Sequence, residues 1–568
     1  MTIRFRSALT LWPCLISLLG SVACRPTADR ITQEIRNITS AEEPPAYLEG
    51  VRWKLLRQIY QDRQYRPLWV GTQPVPQRTR DLISSLCDAE REGLRSADYH
   101  LDELRSTLEQ LRTSLDKERP EAFAVLDLEL TQRFLDYGTD LLSGRLDPKA
   151  VASGWYIRAR RSSIEGTLRG AALAEEFPQM VAPLRPQLPG YAELVNALAG
   201  YREILAHGGW PKVPRGRSLR GGDRGTRVAT LRRRLRISGD LRGWAGRKPV
   251  YNQAVARAVA HFQARHGIPV DGIAGGPTLV ALNVSVQARI RQLQVNLERF
   301  RWLPAELGGR YIYVNIPDYK LYAYEAGEPV LVMRVVVGDE YRSATPVFAD
   351  SMTSVVFRPY WYVPHRILVR EIVPRVRRKR SYLVRNHFEV VDAKQESRVL
   401  NPRRINWSRV DFRKVRVRQR GGSPTNPLGL VKFMFPNQFA VYLHDTPSRK
   451  SFGSPQRTAS HGCVWVEKPV ELADYVLARQ GAWNPTTIRQ AMLKAQPASE
   501  AGRVDGRSVT LDQPLPVYIV YFTAFVRDGI LNFRPDPYDR DREAIARLGK
   551  LSSSNHRLCE ELLKLIGG

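Results

Sequence analysis

The chain has 568 residues, and its 87 Lys or Arg exceed its 57 Asp or Glu by enough to give a formal charge of +30 at neutral pH. This length predicts several domains, and 43% hydrophobic residues with 25% charged residues exclude a disordered or collagen-like chain. So basic a protein is expected to meet a polyanion. Nucleic acid, anionic lipid and an acidic cell wall all fit that description.

The N-terminus has the pattern of a secretory signal peptide. Arg4 and Arg6 precede a mostly apolar stretch over 8–23, which is too short for a membrane-spanning helix. We therefore expect a signal peptide over 1–23 and an exported protein.

Cysteines are few, and one of them follows the predicted signal peptide. Ser21 and Ala23 fit cleavage before Cys24, but the same segment also resembles a lipobox, so a lipid anchor at Cys24 stays open. Five cysteines are too few for a disulfide framework, and the spacing of Cys87 and Cys559 does not decide whether they pair. No cysteine or histidine cluster has zinc spacing, so we expect neither a metal nor a cofactor.

Residues 30–215 predict a helical scaffold domain. One apolar stripe recurs there at helical spacing, formed by Phe123, Leu126, Leu130, Phe134, Tyr137 and Leu141. Gly144 and the following Asp147-Pro148 pair are expected to end this helix. No motif in the region points to chemistry.

Residues 216–284 predict a small module of three helices. The segments 223–225, 258–267 and 270–275, with sequences DRG, AVAHFQARHG and VDGIAG, resemble the peptidoglycan-binding domain of bacterial wall enzymes. The resemblance implies binding to peptidoglycan. His261 and His266 fit packing or surface positions as well as ligand positions.

From about residue 310 the pattern changes to short β-branched and aromatic runs, which predict strands. We expect a mostly β domain of catalytic size over 296–500. Residues 501–568 are expected to form a C-terminal extension with a hairpin turning at Asp528-Gly529 and a helix.

Two motifs in this domain contain the residue types that thiol chemistry requires. Acyl transfer through sulfur needs a thiolate, a base that produces it, and N–H donors for an oxyanion. His444 lies in an apolar, strand-like run, and Cys463 follows Gly462, whose missing side chain lets a carbonyl group approach. The 19 residues between His444 and Cys463 cannot by themselves bring the two side chains together.

The ordered set of His444 and the segment SHGC at 460–463 resembles the active-site signature of the L,D-transpeptidases, whose catalytic domain is the YkuD type. Further similar segments are typical of the long, lid-bearing enzymes of Gram-negative bacteria; they lie at 296–304, 314–317, 358–364, 426–433 and 521–524. The resemblance implies a multidomain α+β protein. Its parts would be a helical scaffold, a three-helix peptidoglycan-binding module and a mostly β L,D-transpeptidase catalytic domain.

The resemblance also implies roles for single residues of the signature. Cys463 would be the nucleophile, and His444 would donate and accept protons with its ring oriented by the backbone carbonyl of Asp445. His461 and Gly462 would shape the oxyanion site. Ser460 would brace the loop or contact substrate.

One position departs from the family pattern. Two residues after the cysteine the family usually has Arg or Asn, whereas this chain has Trp465. An indole offers one N–H and a large apolar face, so either Arg457 supplies the missing guanidinium or the substrate contacts differ. Tyr360 and Trp361 are further expected substrate contacts.

The segment 366–420 is the most basic part of the catalytic domain. It has 18 Lys or Arg and 5 Asp or Glu, for a net charge of +13, and by resemblance it is a capping lid that keeps water from the thioester. A solvated basic loop is the alternative. If it is a lid, deletion of 375–380 should raise hydrolysis or lower transfer.

The implied function is a peptidoglycan L,D-transpeptidase of the periplasm. It would join stem peptides containing meso-diaminopimelate by 3→3 crosslinks through a cysteine thioester, and carbapenems would inhibit it. The same fold could instead act as an L,D-carboxypeptidase or as a hydrolase that releases a wall-linked lipoprotein. A further alternative is a non-catalytic scaffold that binds the cell wall. Export argues against nucleic acid as a partner.

Overall fold

The computed structural model describes residues 27–48, 52–71, 75–113, 119–151, 154–157, 164–244, 246–339, 343–494, 506–549 and 556–567. The predicted signal peptide and Cys24 lie outside these residues. A helical N-terminal part precedes a mostly β part, which confirms the predicted α+β class. Within the described ranges no helix combines the length and the apolar character needed to cross a membrane.

Most helices of the scaffold region pack around one hydrophobic core. The helices of this region are α1 (Ala28–Thr39), α2 (Trp53–Asp62), α3 (Gln77–Cys87), α4 (Leu101–Thr113), α5 (Pro120–Ser143), α6 (Pro148–Val151), α7 (Ile164–Ala172), α8 (Phe177–Val181) and α9 (Tyr191–Ala206). The predicted stripe lies on α5, where Leu130, Phe134 and Leu141 are fully buried, and Gly144 caps the helix. Helix α9 instead packs on the core of the β part, so the scaffold core ends near residue 184, before the expected boundary at 215.

The predicted three-helix module consists of α10 (Thr226–Ile237), α11 (Gln253–Arg265) and α12 (Gly276–Leu282) around its own core. His261 Nδ1 lies 2.8 Å from Asp240 Oδ1. His266 is buried and stacks on Phe262, with 3.7 Å between ring centroids. Both histidines therefore have packing or surface contacts within the module.

Helix α13 (Val286–Arg301) leads into the β part. Its strands are β1 (Arg310–Asn315), β2 (Lys320–Glu325), β3 (Glu328–Gly338), β4 (Phe348–Phe357), β5 (Trp361–Tyr362), β6 (Phe388–Asp392), β7 (Val399–Leu400), β8 (Val415–Gln419), β9 (Val431–Met434), β10 (Leu443–His444), β11 (Thr458–Ser460), β12 (Val464–Val466), β13 (Arg507–Val520), β14 (Ala524–Arg527) and β15 (Ile530–Phe533).

The central sheet of the described residues has the strand order β11-β3-β12-β10-β9-β4-β13-β1-β2. Because β2 also pairs with β3, the strands from β3 round to β2 close on themselves around an apolar core. Strand β13 lies between β4 and β1, so the catalytic sheet continues beyond residue 500, where the sequence predicted the domain to end. Two helices, α17 (Pro469–Leu477) and α18 (Pro485–Leu493), follow β12.

The basic segment 366–420 folds as a small subdomain of its own. It contains α14 (His365–Ile367), a π-helical turn (Leu368–Ile372), α15 (Val373–Arg378) and α16 (Tyr382–Arg385), beside a sheet in the order β5-β8-β6-β7. Val376, Leu383 and Val390 are buried in its core. We call this subdomain the lid; its packed core does not fit the solvated-loop alternative.

The C-terminal part consists of the hairpin β14–β15, which turns at the predicted Asp528-Gly529, helix α19 (Asp541–Leu548) and helix α20 (His556–Gly567). Helix α20 returns to the scaffold and packs against α3 and α4. A disulfide joins Cys87 to Cys559, and Arg105 forms an ion pair with Glu561 at 2.8 Å. The pairing that the spacing left open is thus present.

Candidate active site

The predicted nucleophile and base lie at neighbouring parallel strands. Strand β10 pairs with β12 so that Leu443 is opposite Val464 and His444 is opposite Trp465. Cys463 immediately precedes β12, and the Val464 N–H donates to the Tyr442 carbonyl at 3.0 Å. The sheet register therefore brings together two residues that are distant in sequence.

Alternation along the strands sorts the side chains onto two faces. Phe433, Leu443 and Val464 have no exposed surface and fill the apolar core. Lys432 lies opposite His444 in the antiparallel pair of β9 with β10, and Trp465 lies opposite His444 on the other side. These three polar or aromatic residues consequently share the other face of the sheet.

His444 is buried, and its ring is held in one orientation. It is 3% exposed, and its Nδ1 lies 2.6 Å from the Asp445 carbonyl oxygen, the contact that the resemblance implied. Because a carbonyl oxygen only accepts, Nδ1 carries a proton and Nε2 is the acceptor in the neutral ring. Burial lowers the pKa of His444 to about 4; the Asp445 bond opposes this shift, and the charge of Lys432 adds to it.

Cys463 is the free cysteine of the described residues and is half-buried. Its Sγ lies 3.8 Å from the Ala440 carbonyl oxygen. Burial raises the pKa of the thiol, while the Tyr442 backbone and the positive charge of Lys432 act in the opposite direction. Burial thus favours the neutral forms of both the Cys463 thiol and the His444 imidazole.

The loop that presents the cysteine is braced by Ser460. The Ser460 hydroxyl accepts from the Gly462 N–H at 3.1 Å and donates to the Cys463 carbonyl at 2.5 Å. Gly462 has φ +111°, a conformation that L side chains rarely adopt. Since Ser460 occupies the Gly462 N–H, the Cys463 N–H, which has no acceptor within the described ranges, is the donor left for an oxyanion.

A second brace comes from residues that the sequence did not single out. The Thr345 hydroxyl donates to the Gly462 carbonyl at 2.9 Å and accepts from the Gly338 N–H at 2.8 Å. Tyr538 of the C-terminal part donates its hydroxyl to the Gly338 carbonyl at 2.7 Å. These contacts arise from long-range packing, so no local motif could have revealed them.

Lys432 is a further candidate for a functional residue, although the sequence analysis assigned it no role. Its Nζ lies 3.6 Å from the centroid of the Tyr442 ring. Burial lowers the pKa of Lys432, and the nearby Cys463 raises it. A single charged residue between the apolar Val431 and Phe433 of a strand was the available signal.

Trp465 and Arg457, two of the predicted substrate contacts, have different neighbours in the structure. The Trp465 and His444 rings have centroids 6.5 Å apart. Arg457 is turned elsewhere: its guanidinium lies 5.1 Å from the Tyr319 ring and donates to the Ser454 carbonyl at 2.7 Å. These contacts do not support Arg457 as a replacement for the family's arginine.

Tyr360 and Trp361 lie at the base of the lid. The Arg418 guanidinium is 4.3 Å from the Tyr360 ring, and the Trp361 ring is 6.1 Å from that of Phe388. Both of these contacts are with lid residues, so any contact with substrate remains a prediction.

The lid contacts the catalytic loop through His461. His461 Nε2 lies 3.5 Å from Glu371 Oε1, and both side chains are largely open to solvent. The Asp445 carboxylate is occupied elsewhere, accepting from the Leu430 N–H at 2.9 Å and pairing with Arg449 at 3.1 Å. Across the described residues, no group of three or more His, Cys, Asp or Glu is arranged to hold a metal ion.

Three family models match the chain. The L,D-transpeptidase catalytic domain, YkuD, matches residues 309–509, a scaffold domain matches 54–198, and a domain provisionally described as peptidoglycan-binding matches 224–282. Residues 309–509 thus match the catalytic domain of an enzyme family, the L,D-transpeptidases. The same chain also has segments that match a scaffold domain and a peptidoglycan-binding domain.

Similar proteins carry the same family name. A Haemophilus influenzae protein provisionally named an L,D-transpeptidase is 34% identical over 254 residues, which cover 44% of this chain and 48% of that protein. The chain thus matches about half the length of this relative.

Two solved structures were also matched. An L,D-transpeptidase of Xylanimonas cellulosilytica is 15% identical, with 54% of this chain and 99% of that chain covered and a TM-score of 0.15. One from Stackebrandtia nassauensis is 15% identical, with 56% and 99% covered and a TM-score of 0.20.

Proposed function

We propose that the protein is a peptidoglycan L,D-transpeptidase that forms 3→3 crosslinks through a thioester on Cys463. The observation that carries this proposal is the pairing of β10 with β12, which sets Cys463 just before the strand next to that of His444, a buried histidine whose Nδ1 is held by the Asp445 carbonyl. The match of this region to the L,D-transpeptidase catalytic domain supports it. Peptidoglycan is the partner that this domain and the peptidoglycan-binding domain support.

The first half of the reaction makes the thioester. The Cys463 sulfur attacks the carbonyl carbon between meso-diaminopimelate and the terminal D-Ala, and His444 Nε2 takes the thiol proton. The oxyanion faces the Cys463 N–H, and Lys432 stabilises negative charge that develops on the sulfur. His444 then returns the proton to the departing D-Ala amine as the carbon–nitrogen bond breaks.

The second half transfers the acyl group. The side-chain amine of a second stem's diaminopimelate attacks the thioester, His444 accepts the amine proton, and the sulfur leaves as the new amide forms. That proton then restores the Cys463 thiol. Water can replace the amine in this step, so a transferase must limit the access of water to the thioester.

We further propose that the protein works in the periplasm. The signal-peptide pattern over 1–23 and the disulfide between Cys87 and Cys559 both fit an oxidising, extracytoplasmic compartment. Mass spectrometry of the N-terminus of the exported protein would distinguish cleavage before Cys24 from lipid attachment to it. An uncleaved, cytoplasmic protein would contradict the proposal.

Mass spectrometry with a carbapenem, followed by product analysis on disaccharide tetrapeptides, tests the proposed reaction. We expect a covalent adduct on Cys463 and crosslinked dimers, and we expect both to be absent from the Cys463→Ala variant. Tripeptide without dimers would assign the protein as an L,D-carboxypeptidase instead. Undiminished activity in Cys463→Ala would contradict the thioester, and no adduct and no product would favour a wall-binding scaffold.

A further inference from the structure

The lid contains a cavity lined by arginines and separate from the Cys463 loop. The cavity has a volume of about 390 Å³, and two segments of the lid face it. Arg377 and Arg380 come from α15 and the residues after it, while Arg403 and Arg404 come from the loop before β8. We call these four residues the arginine pocket.

No acidic side chain lines this cavity. The acidic residues of the lid have other contacts: Glu389 pairs with Arg418 and Arg420, Glu396 with Arg416, Asp411 with Arg413, and Glu371 with His461, while Asp392 accepts from two backbone N–H groups. Within the described residues, the guanidinium groups of the arginine pocket form no hydrogen bond or ion pair. Like charges gathered at one cavity repel, and a bound anion would relieve that repulsion.

The loop carrying two of these arginines is held in shape without them. The Trp407 indole is largely buried and donates to the Pro402 carbonyl at 3.1 Å. Asn401 Oδ1 accepts from the Arg403 N–H at 3.0 Å, and Asn406 Oδ1 accepts from the Ser408 N–H at 3.1 Å. The backbone positions of Arg403 and Arg404 are therefore set before any ligand arrives, which lowers the entropic cost of binding.

The chemistry of the pocket selects the class of ligand. Each guanidinium group is a planar fork that makes paired hydrogen bonds to a carboxylate or a phosphate. Four such groups around one cavity suit a ligand with several carboxylates rather than a single ion. Residue 377 is also six positions beyond Glu371, roughly 9 Å along a helix, so Arg377 lies within about two helical turns of the residue that contacts the catalytic loop.

We propose that the arginine pocket binds the carboxylates of a peptidoglycan stem peptide, and so forms a substrate site on the lid. This assignment rests on the proposed function for the class of substrate. Its role is to hold a stem peptide close to the thioester, since the helix that carries Arg377 continues from the turn whose Glu371 contacts His461.

Calorimetry on the full chain with Cys463→Ala tests the pocket without turnover. There are three probes: the small tricarboxylate tricarballylate, the disaccharide tetrapeptide and inorganic pyrophosphate. We expect the Arg403→Gln/Arg404→Gln pair to weaken tricarballylate and tetrapeptide binding by about tenfold or more. The control pair Arg378→Gln/Arg409→Gln removes the same charge from lid residues outside the cavity and should change binding by less than about twofold.

Equal weakening by both pairs would mean diffuse attraction to a basic surface and would overturn the proposal. Pyrophosphate binding that depends on the pocket, with no such dependence for tricarballylate, would overturn the carboxylate assignment. The Arg403→Lys/Arg404→Lys pair, which keeps the charge, should bind more tightly than the Gln pair when both are equally folded. Crosslinking is measured separately with the protein that retains Cys463. If no crosslinks form but the pocket pair weakens binding more than the control pair does, only the proposed function is contradicted. If crosslinks form but the two pairs weaken binding equally, only the arginine pocket is contradicted.

Discussion

Glu371 of the lid lies 3.5 Å from His461 of the catalytic loop, which stands two residues before Cys463. Glu371 sits in a π-helical turn, a form often found at functional positions in helices. The contact joins the basic lid to the loop that carries the thiol. It is therefore the point at which lid position and access of water to the thioester would be coupled.

Glu371→Gln should raise the ratio of hydrolysed tripeptide to crosslinked dimer, because it weakens the contact between the lid and His461. The pair is exposed, so the free energy of unfolding should change by less than about 1 kcal/mol. Product analysis on disaccharide tetrapeptides measures the ratio.

Glu396→Gln is the matched control, since Glu396 pairs with Arg416 within the lid and does not contact the catalytic loop. An equal ratio in both variants would contradict the coupling. Deletion of 375–380 is a weaker test than the sequence suggested, because it removes Val376 from the lid core.

Lys432→Met should shift the pH dependence of Cys463 alkylation to higher pH. Lys432 lowers the pKa of the Cys463 thiol through its charge, so its removal leaves burial, which raises that pKa, less opposed. Iodoacetamide reaction rates across a range of pH give the midpoint. Lys450→Met, which removes an exposed lysine, should leave the midpoint in place, and equal shifts in both variants would contradict a specific effect of Lys432.

The stability of the protein should depend on His444 at mildly acidic pH. The pKa of His444 is about 4 when folded and about 6.5 in an unfolded chain, so the unfolded state takes up the proton first as the pH falls. The stabilising contribution of the neutral ring is complete above about pH 6.5 and is lost progressively towards pH 4.

Urea denaturation of the protein and of His444→Gln at several pH values measures this dependence. The variant should lose stability less steeply between pH 6.5 and 4. Burial also lowers the pKa of His266, which therefore adds a pH dependence of the same direction to the stability of both proteins. Parallel curves would show that His444 does not titrate in this window.

Thr345→Val should destabilise the protein and slow thioester formation. The substitution keeps the shape of the side chain but leaves the Gly338 N–H and the Gly462 carbonyl without their buried partner, at a cost of roughly 2 kcal/mol. Thr353→Val is the control, because the Thr353 hydroxyl makes only a 3.5 Å contact with the Met434 carbonyl. Thermal unfolding and the rate of carbapenem acylation distinguish the two, and equal effects would contradict the brace.

Local patterns predicted the parts of the fold that local forces decide. The stripe from Phe123 to Leu141 follows helical spacing, and most of it lies on the buried face of α5. The position of β13 between β4 and β1 depends instead on pairings across more than a hundred residues, which periodicity does not contain.

The candidate site divides in the same way. His444 and Cys463 stand in a recognisable order, but their juxtaposition is a property of the β10–β12 register. Thr345, Tyr538 and Glu371 lie in segments without a motif, and they reach the loop through tertiary packing. Arg457 illustrates the converse, since its nearness in sequence to Cys463 does not bring its guanidinium to the thiol.

The disulfide between Cys87 and Cys559 has a consequence for the order of oxidation. Cys463 is synthesised before Cys559. It is therefore the first of the described thiols with which Cys87 could form a disulfide bond. Closing the longer loop costs only about 0.2 kcal/mol more in chain entropy, too little to direct the choice. In the folded chain the packing of α20 on α3 brings the Cα atoms of Cys87 and Cys559 to 5.7 Å, whereas Cys463 lies just before β12 of the central sheet. Tertiary packing, not loop length, therefore pairs Cys87 with Cys559 and leaves Cys463 as the free thiol of the described residues.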